Sequence, residues 1–170
     1  YKTTKSNGAY VTLDEYIENM KEDQKEIYFL TGESLTSLTN SPLLEALKAK
    51  DYEVLLMVDP IDEWVTQSLP EYKEKKLKSA EKGDLDLDKV DDEKKNEYSA
   101  LLSFLKGKLE SRVKDVVVSN RLKDSVSCLS GDDYGMSAYM EKILKASGQS
   151  TPDQKRVMEV NVNHPVMEKI

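Results

Sequence analysis

The sequence predicts an α/β fold: a small three-layer α/β subdomain with parallel strands over residues 1–82, followed by an α+β domain over residues 83–170. Two short, continuously apolar runs, "EIYFLT" and "EVLLMV", have the pattern of strands buried on both faces. Helical patterns with start and stop signals lie between them, as crossovers between parallel strands require. An acid-rich stretch, "GDLDLDKVDDEKKNE", then separates this half from an amphipathic helix and three further strand-like runs.

The first helix runs through "LDEYIENMKED", with Thr12 as cap and Glu15 reaching back from the third position in a capping box. "EIYFLT" is closed by Gly32. The helical segment from Ser34 to Lys50 is interrupted by "NSP", where Ser41 caps and Pro42 opens a new first turn. After "EVLLMV", Asp59 is expected to cap a helix with Pro60 at its first position, and Asp62 and Glu63 lie where the helix dipole favours negative charge. "KKLKSA" reads as a third strand at the sheet edge.

Residues 83–97 read as linker and solvated helix start with few apolar anchors. "YSALLSFLKGKL" follows as an amphipathic helix, "VKDVVVSNRL" as a strand, "SVSCLSG" as its neighbour and "RVMEVNV" as a third strand. Between the last two lies "GMSAYMEKIL", a helix with Asp132 or Asp133 as cap and Gly148 as terminator.

Composition narrows the partners. The 170 residues carry a net charge of -7, with 38% apolar and 34% charged side chains. A pI near 4.9 argues against nucleic acid, which needs a concentrated basic face, and acids interleave both lysine clusters, at residues 73–78 and 94–95. Mean hydropathy is -0.62 and no run approaches the roughly 18 apolar residues of a membrane span. The single cysteine, Cys128, excludes an internal disulfide and fits a reducing compartment. The opening "YKTTKSNGAY" has no initiator methionine or leader pattern and reads as a piece of a longer protein.

Candidate chemistry is sparse. "TGES" follows a strand and precedes a helix, where α/β folds hold phosphate, but it lacks the glycine-rich and Gly-Lys-Ser/Thr fingerprints. "DPIDE" places Asp59, Asp62 and Glu63 at a strand's carboxyl end, which suits Mg²⁺ or acid-base work, yet capping and the helix dipole explain all three. His164 is the sole histidine, without the partners of a triad or a zinc site. Cys128, in strand-like sequence, reads as a buried, inert thiol.

Apolar side chains are more telling. On "DPIDEWVTQSL", Trp64 and Gln67 share a helix face. In "GMSAYMEKIL", Met136, Met140, Ile143 and Leu144 recur at i, i+4, i+7 and i+8, one stripe about 100° wide. Methionine suits both core gap-filling and surfaces that accept many partners, so spacing leaves the stripe open between the two.

Taken in order and spacing, "YIENMKEDQKEIYFLTGES", "SPLLEALKAKDYEVLLMVDPIDEW", "VKDVVVSNRLKDS", "MSAYMEKILKA" and "NHPVMEKI" resemble the ninety-kilodalton heat-shock chaperones in their bacterial-type form, across nearly all 170 residues. The resemblance implies that residues 1–82 are the last α/β subdomain of the family's middle domain and residues 83–170 most of its C-terminal domain, without the last dimerisation helices. It implies an ATP-dependent, cytoplasmic, homodimeric chaperone whose ATP and Mg site lies in an N-terminal domain outside this chain. The chain itself is then expected to bind no cofactor or metal, to catalyse nothing and to associate weakly or not at all. Its partners are unfolded or partly folded client proteins, with no nucleic acid and no membrane. Carried over by motif, the client-binding residues are Glu63, Trp64 and Gln67 on one wall of a cleft and Met136, Met140, Ile143 and Leu144 on the other. Where the family usually has Asn-Pro-x-His-Pro, this chain has "NVNHP" with Val162 in place of proline, and "RLKDSVSCL" lacks the frequent Ser-Pro. The alternatives are a nucleotide- or metal-binding domain using "TGES" or "DPIDE", and a structural module with the methionine stripe in its own core.

Overall fold

The structure, a computed structural model, describes residues 1–87 and 90–169. Asp88 and Lys89 of the acid-rich stretch, and Ile170 of the last family motif, lie outside the described residues.

The apolar runs form the centre of the first half. β2 (Ile27–Thr31) and β3 (Val54–Met57) are buried along their whole length and pair in parallel, Tyr28 opposite Val54 and Leu30 opposite Leu56. Side chains alternate across a strand, so the pair supplies two cores. On one face Tyr28, Leu30, Val54 and Leu56 meet Leu38 of α2 (Leu35–Thr39) and Leu47 of α3 (Glu45–Ala49). On the other, Ile27, Phe29, Leu55 and Met57 pack on Tyr16 of α1 (Leu13–Glu18). This is the expected three-layer arrangement. Tyr16 is fully buried with its hydroxyl satisfied, donating to the Glu53 carbonyl at 2.5 Å and accepting from Gln24 at 2.9 Å and the Tyr28 amide at 3.1 Å.

The expected starts are present at two helices. Thr12 and Glu15 form the capping box of α1, and Ser41 caps a short 3₁₀ turn, Pro42–Leu44, that leads into α3. The fourth helix, α4 (Asp62–Ser68), begins later than expected. Asp59 accepts the Ile61 amide and Asp62 returns a carboxylate to the Asp59 amide, so the pair closes a turn ahead of the helix instead of capping it.

"KKLKSA" is not an edge. Its strand, β5 (Lys75–Ser79), pairs in parallel with β2 and is covered by β4 (Glu71–Tyr72), while the two-residue β1 (Lys2–Thr3) closes the opposite side, giving the order β1-β3-β2-β5-β4. Lys73 and Glu74, both at positive φ, turn the β4–β5 hairpin. Nor is the linker without anchors: Leu85 is buried in the first core, with Leu87 against it.

In the second half, α5 (Asp92–Glu97) is capped by Asp91, and α6 (Ser99–Leu109) lays Leu101, Leu102, Leu105 and Leu109 over Val113, Val116, Val160 and Val162. "SVSCLSG" is not the neighbour of the first strand. β8 (Arg156–Val160) lies between them, parallel to β6 (Val113–Val118) and antiparallel to β7 (Ser127–Ser130). Along β8, Met158 and Val160 face the α6 core while Glu159, on the other face of the sheet, meets Arg121. Val162 is buried in that core and His164 accepts the Val166 amide, so the strand exit forms without the proline. α7 (Ala138–Ala146) is capped by Ser137, whose Oγ accepts the Met140 amide, and not by Asp132 or Asp133, which pair with Lys114 and Lys78. Gly148, at φ +78°, follows the helix as expected.

Candidate functional site at the joint between the two halves

Two sets of polar contacts join the halves. In the first, Arg121 is fully buried. Its Nε donates to both Glu159 carboxylate oxygens at 2.9 and 3.0 Å, its Nη1 to the Ala80 carbonyl at 2.5 Å and its Nη2 to the Gly83 carbonyl. Its own carbonyl accepts the Ala46 amide at 2.9 Å. Beside it, Glu45 at the start of α3 accepts the amides of Lys123, Asp124 and Ser125 and the Ser125 hydroxyl. Burial alone would raise the Glu45 carboxyl, but those donors outweigh it and hold it below the ordinary carboxylate value.

The second joint is the N-terminus of α7, which lies across the carboxyl end of the parallel sheet. Ser137, while capping α7, donates to Glu63 of α4 at 2.5 Å. Glu81, just past β5, accepts the Ala138 amide at 2.9 Å and Arg156 Nη1 at 2.7 Å. The Tyr139 hydroxyl donates to the Val58 carbonyl after β3, and Lys142 pairs with Glu33 after β2. Carboxylates are favoured at a helix N-terminus, but burial dominates at Glu81 and raises its pKa despite the Ala138 amide and Arg156.

Glu63, Gln67, Met136 and Met140 line one concavity of about 430 Å³ between α4 and α7. Glu63 is buried beneath it; Gln67 is exposed and its side-chain amide donates to the Glu63 carbonyl. Trp64 is 42% exposed and Ile61, three residues before it, 58% exposed; neither lines the concavity. Ile143 and Leu144 lie further along α7 and do not line it either. Met136, Met140, Ile143 and Leu144 are all half-buried, and none belongs to the three cores. Met136 precedes the helix, so the stripe is a loop residue and three helical ones.

Sequence reasoning missed Ser137, Glu81 and Arg156. The signal for Ser137 was present, a serine three residues before Met140. Glu81 and Arg156 carry no local signal, because their meaning lies in a contact between halves.

The loops weighed for ligand chemistry are engaged partly in this joint and partly in local caps and turns. In "TGES", Glu33 pairs with Lys142 and Ser34 caps α2. In "DPIDE", Asp59 and Asp62 bond across one turn and Glu63 bonds Ser137. Among the described residues no group of three His, Cys, Asp or Glu side chains is placed to hold a metal ion, and no helix is long and apolar enough to cross a membrane. Cys128 is buried, and burial, with Glu159 nearby, pushes its thiol up to about 12. A larger concavity of about 760 Å³ runs along the linker, but its Asp84, Asp91, Asp132 and Asp133 each bond a neighbouring amide or side chain.

Such an arrangement defines a two-part α/β and α+β module. Its polar groups fix one part on the other, and its joint carries apolar, half-buried side chains. The chain belongs to the Hsp90 protein family, whose pattern matches residues 1–170. It is 49% identical over 98% of its length to the chaperone protein HtpG of Geobacter sulfurreducens, covering 27% of that protein. Identity is 45% to HtpG of Bdellovibrio bacteriovorus, over 97% of this chain and 28% of the relative, and 41% to HtpG of Mycobacterium bovis, over 98% and 27%. The chain thus spans little more than a quarter of the length of these relatives.

Proposed function

We propose that this chain is the client-holding part of an ATP-dependent chaperone, with residues 1–82 the end of its middle domain and residues 83–170 most of its C-terminal domain. ATP, Mg and the homodimer contacts belong to the rest of the protein, which works in the cytoplasm. Trp64 and Gln67 on α4, with Met136, Met140, Ile143 and Leu144 around α7, contact exposed apolar segments of unfolded proteins. Glu63 works from beneath, holding α7 through Ser137.

The observation that carries this reading is that Met136 and Met140 face Gln67 across one concavity, half-buried and outside every core. Flexible thioethers adapt to varied partners, and weak contacts allow release. The nucleotide-binding alternative would place its ligand at the carboxyl ends of the parallel strands, and α7 lies there.

The test is a titration of the chain with a permanently unfolded protein, such as reduced and carboxymethylated lactalbumin. Trp64→Ala and Met140→Asp should each weaken binding about tenfold, the order set by a central contact residue. Unchanged affinity in both variants, with the fold intact, would overturn the reading. Tight binding of ATP and Mg²⁺ by the chain would favour the alternative.

A further inference from the structure

We propose that Glu81 and Arg156 are positioning residues for α7, setting where Met136 and Met140 stand against α4; the consequence for clients rests on the function proposed above.

A helix leaves its first amides unsatisfied, and side chains close at hand normally supply the acceptors. Ser137 does so for the Met140 amide. The Ala138 amide is instead accepted by Glu81, a residue 57 positions away in the other half. Burying a carboxylate to 4% exposure costs more than a water-filled cap would, unless a cation compensates it. Arg156 Nη1 does so at 2.7 Å, while its Nη2 points at the Met136 carbonyl and Glu141, both at 3.4 Å. Gln154, two residues before Arg156, accepts the Met136 amide at 3.1 Å. The backbone on both sides of Ser137 is therefore tied to Glu81 and to the start of β8.

The guanidinium sits close on the backbone of Gly131. A Cβ on Gly131 would lie 3.2 Å from Arg156 Nη1. Gly131 itself is fixed, its amide donating to the Glu81 carbonyl at 3.0 Å and its carbonyl accepting the Gly83 amide at 2.9 Å. Without Arg156, the buried Glu81 carboxylate would keep the Ala138 amide but lose its cation, and the Met136 carbonyl and Glu141 would lose their guanidinium contacts. The start of α7 would be held less firmly against the first half.

The experiment compares amide hydrogen exchange in the chain and in Arg156→Met, Arg156→Lys and Glu81→Gln. In Arg156→Met the Glu141 and Ser147 amides, which bond within α7, should exchange about tenfold faster, a local opening, while those of Leu30 and Leu55 keep their rates. Arg156→Lys, which keeps the charge but loses the fork, should restore part of the protection. Glu81→Gln, which keeps an acceptor for Ala138 but loses the ion pair, should loosen α7 less than Arg156→Met. Unchanged α7 exchange in Arg156→Met and Glu81→Gln would overturn the proposal. So would a proportional rise at Leu30 and Leu55, which would make the pair one more contributor to global stability. If Arg156→Met does not fold, Glu81→Gln decides alone. Binding of the unfolded lactalbumin is a separate readout. Should Trp64→Ala and Met140→Asp leave it unchanged while exchange in α7 responds, the client function fails and the positioning role stands.

Discussion

Arg121→Met should be the most damaging single change in the chain. The guanidinium is fully buried and bonds the Glu159 carboxylate of β8 on one side and the carbonyls of Ala80 and Gly83 on the other. Methionine fills much of the space but carries no donor. Among the described residues, Glu159 would keep only the Ser119 hydroxyl, at 2.7 Å, as a side-chain donor. Stranding one partner of a buried pair costs about 3–5 kcal/mol, and each orphaned carbonyl adds to it. Against a total of about 5–15 kcal/mol, such a loss takes a large share of stability. With a guanidinium chloride slope of about 2–6 kcal/mol per molar, the midpoint should fall by about 1 M.

The assay is denaturation followed by Trp64 fluorescence, which reports on α4, and by far-ultraviolet circular dichroism, which reports on both halves. The two should coincide in the parent chain and separate in Arg121→Met, because the residue bonds both halves. Adding Glu159→Leu removes the stranded charge, so the double variant should recover at least about 2 kcal/mol relative to Arg121→Met. A midpoint shift below about 0.2 M, or a double variant no better than the single one, would refute the argument that the buried pair joins the halves.

Other perturbations test separate parts of the structure. Glu45 has its pKa held below the ordinary 4.5, so its stabilising contribution is complete above that value and is lost as pH falls through the folded pKa; the stability advantage of the parent over Glu45→Gln should shrink on acidification below pH 4.5 in denaturation curves taken at each pH. With its thiol pushed up to about 12, Cys128 should be about one ten-thousandth thiolate at pH 8 and react with iodoacetamide far more slowly than in the unfolded chain; labelling at the unfolded rate would contradict its burial. Leu85→Ala should cost about 2–5 kcal/mol in urea denaturation, the range for a core leucine, where a residue of a solvated linker would cost nothing measurable. Phe104→Ser, on the outer face of α6 and 60% exposed, should stay within about 0.5 kcal/mol of the parent.

The parts legible in the sequence are those whose cause is local. The Thr12 capping box, the Ser41-Pro42 restart and the two buried strands each follow from a few neighbouring side chains. Local reasoning failed where distant segments decide. "KKLKS" has the lysine-rich composition of an edge, and the hairpin that covers it with β4 turns at Lys73 and Glu74, without the glycine or asparagine that would signal it. Nothing in "SVSCLSG" or "RVMEVNV" ranks them across the second sheet; the order emerges only from the pairing of β8 with both β6 and β7, segments about 40 and 30 residues away in the chain. At the candidate site, the spacing of Met136, Met140, Ile143 and Leu144 was visible, but the groups that fix α7 were not. Glu63 had a sufficient explanation as a first-turn acid of its own helix, and that explanation hid its bond to the cap of another.

That double use of Glu63 explains why this α/β unit departs from the usual logic of its class. In open parallel sheets the loops after the strands form a crevice whose free amides and carboxylates are available to a ligand. Here Glu33, the Val58 carbonyl, Glu63 and Glu81, past β2, β3 and β5, are bonded to α7 and its cap, while Ser34, Asp59 and Asp62 are taken up in local caps and turns. A helix of the second half occupies the position a ligand would take. On the function proposed above, the contacts left for a client are mostly apolar ones beside the joint, Trp64 on α4 and Met140 on α7, and the spacing between them depends on how α7 is held. Affinity for an apolar partner should therefore respond to changes in the buried polar joint as strongly as to changes in the apolar residues themselves, which a surface built on a single rigid core would not show.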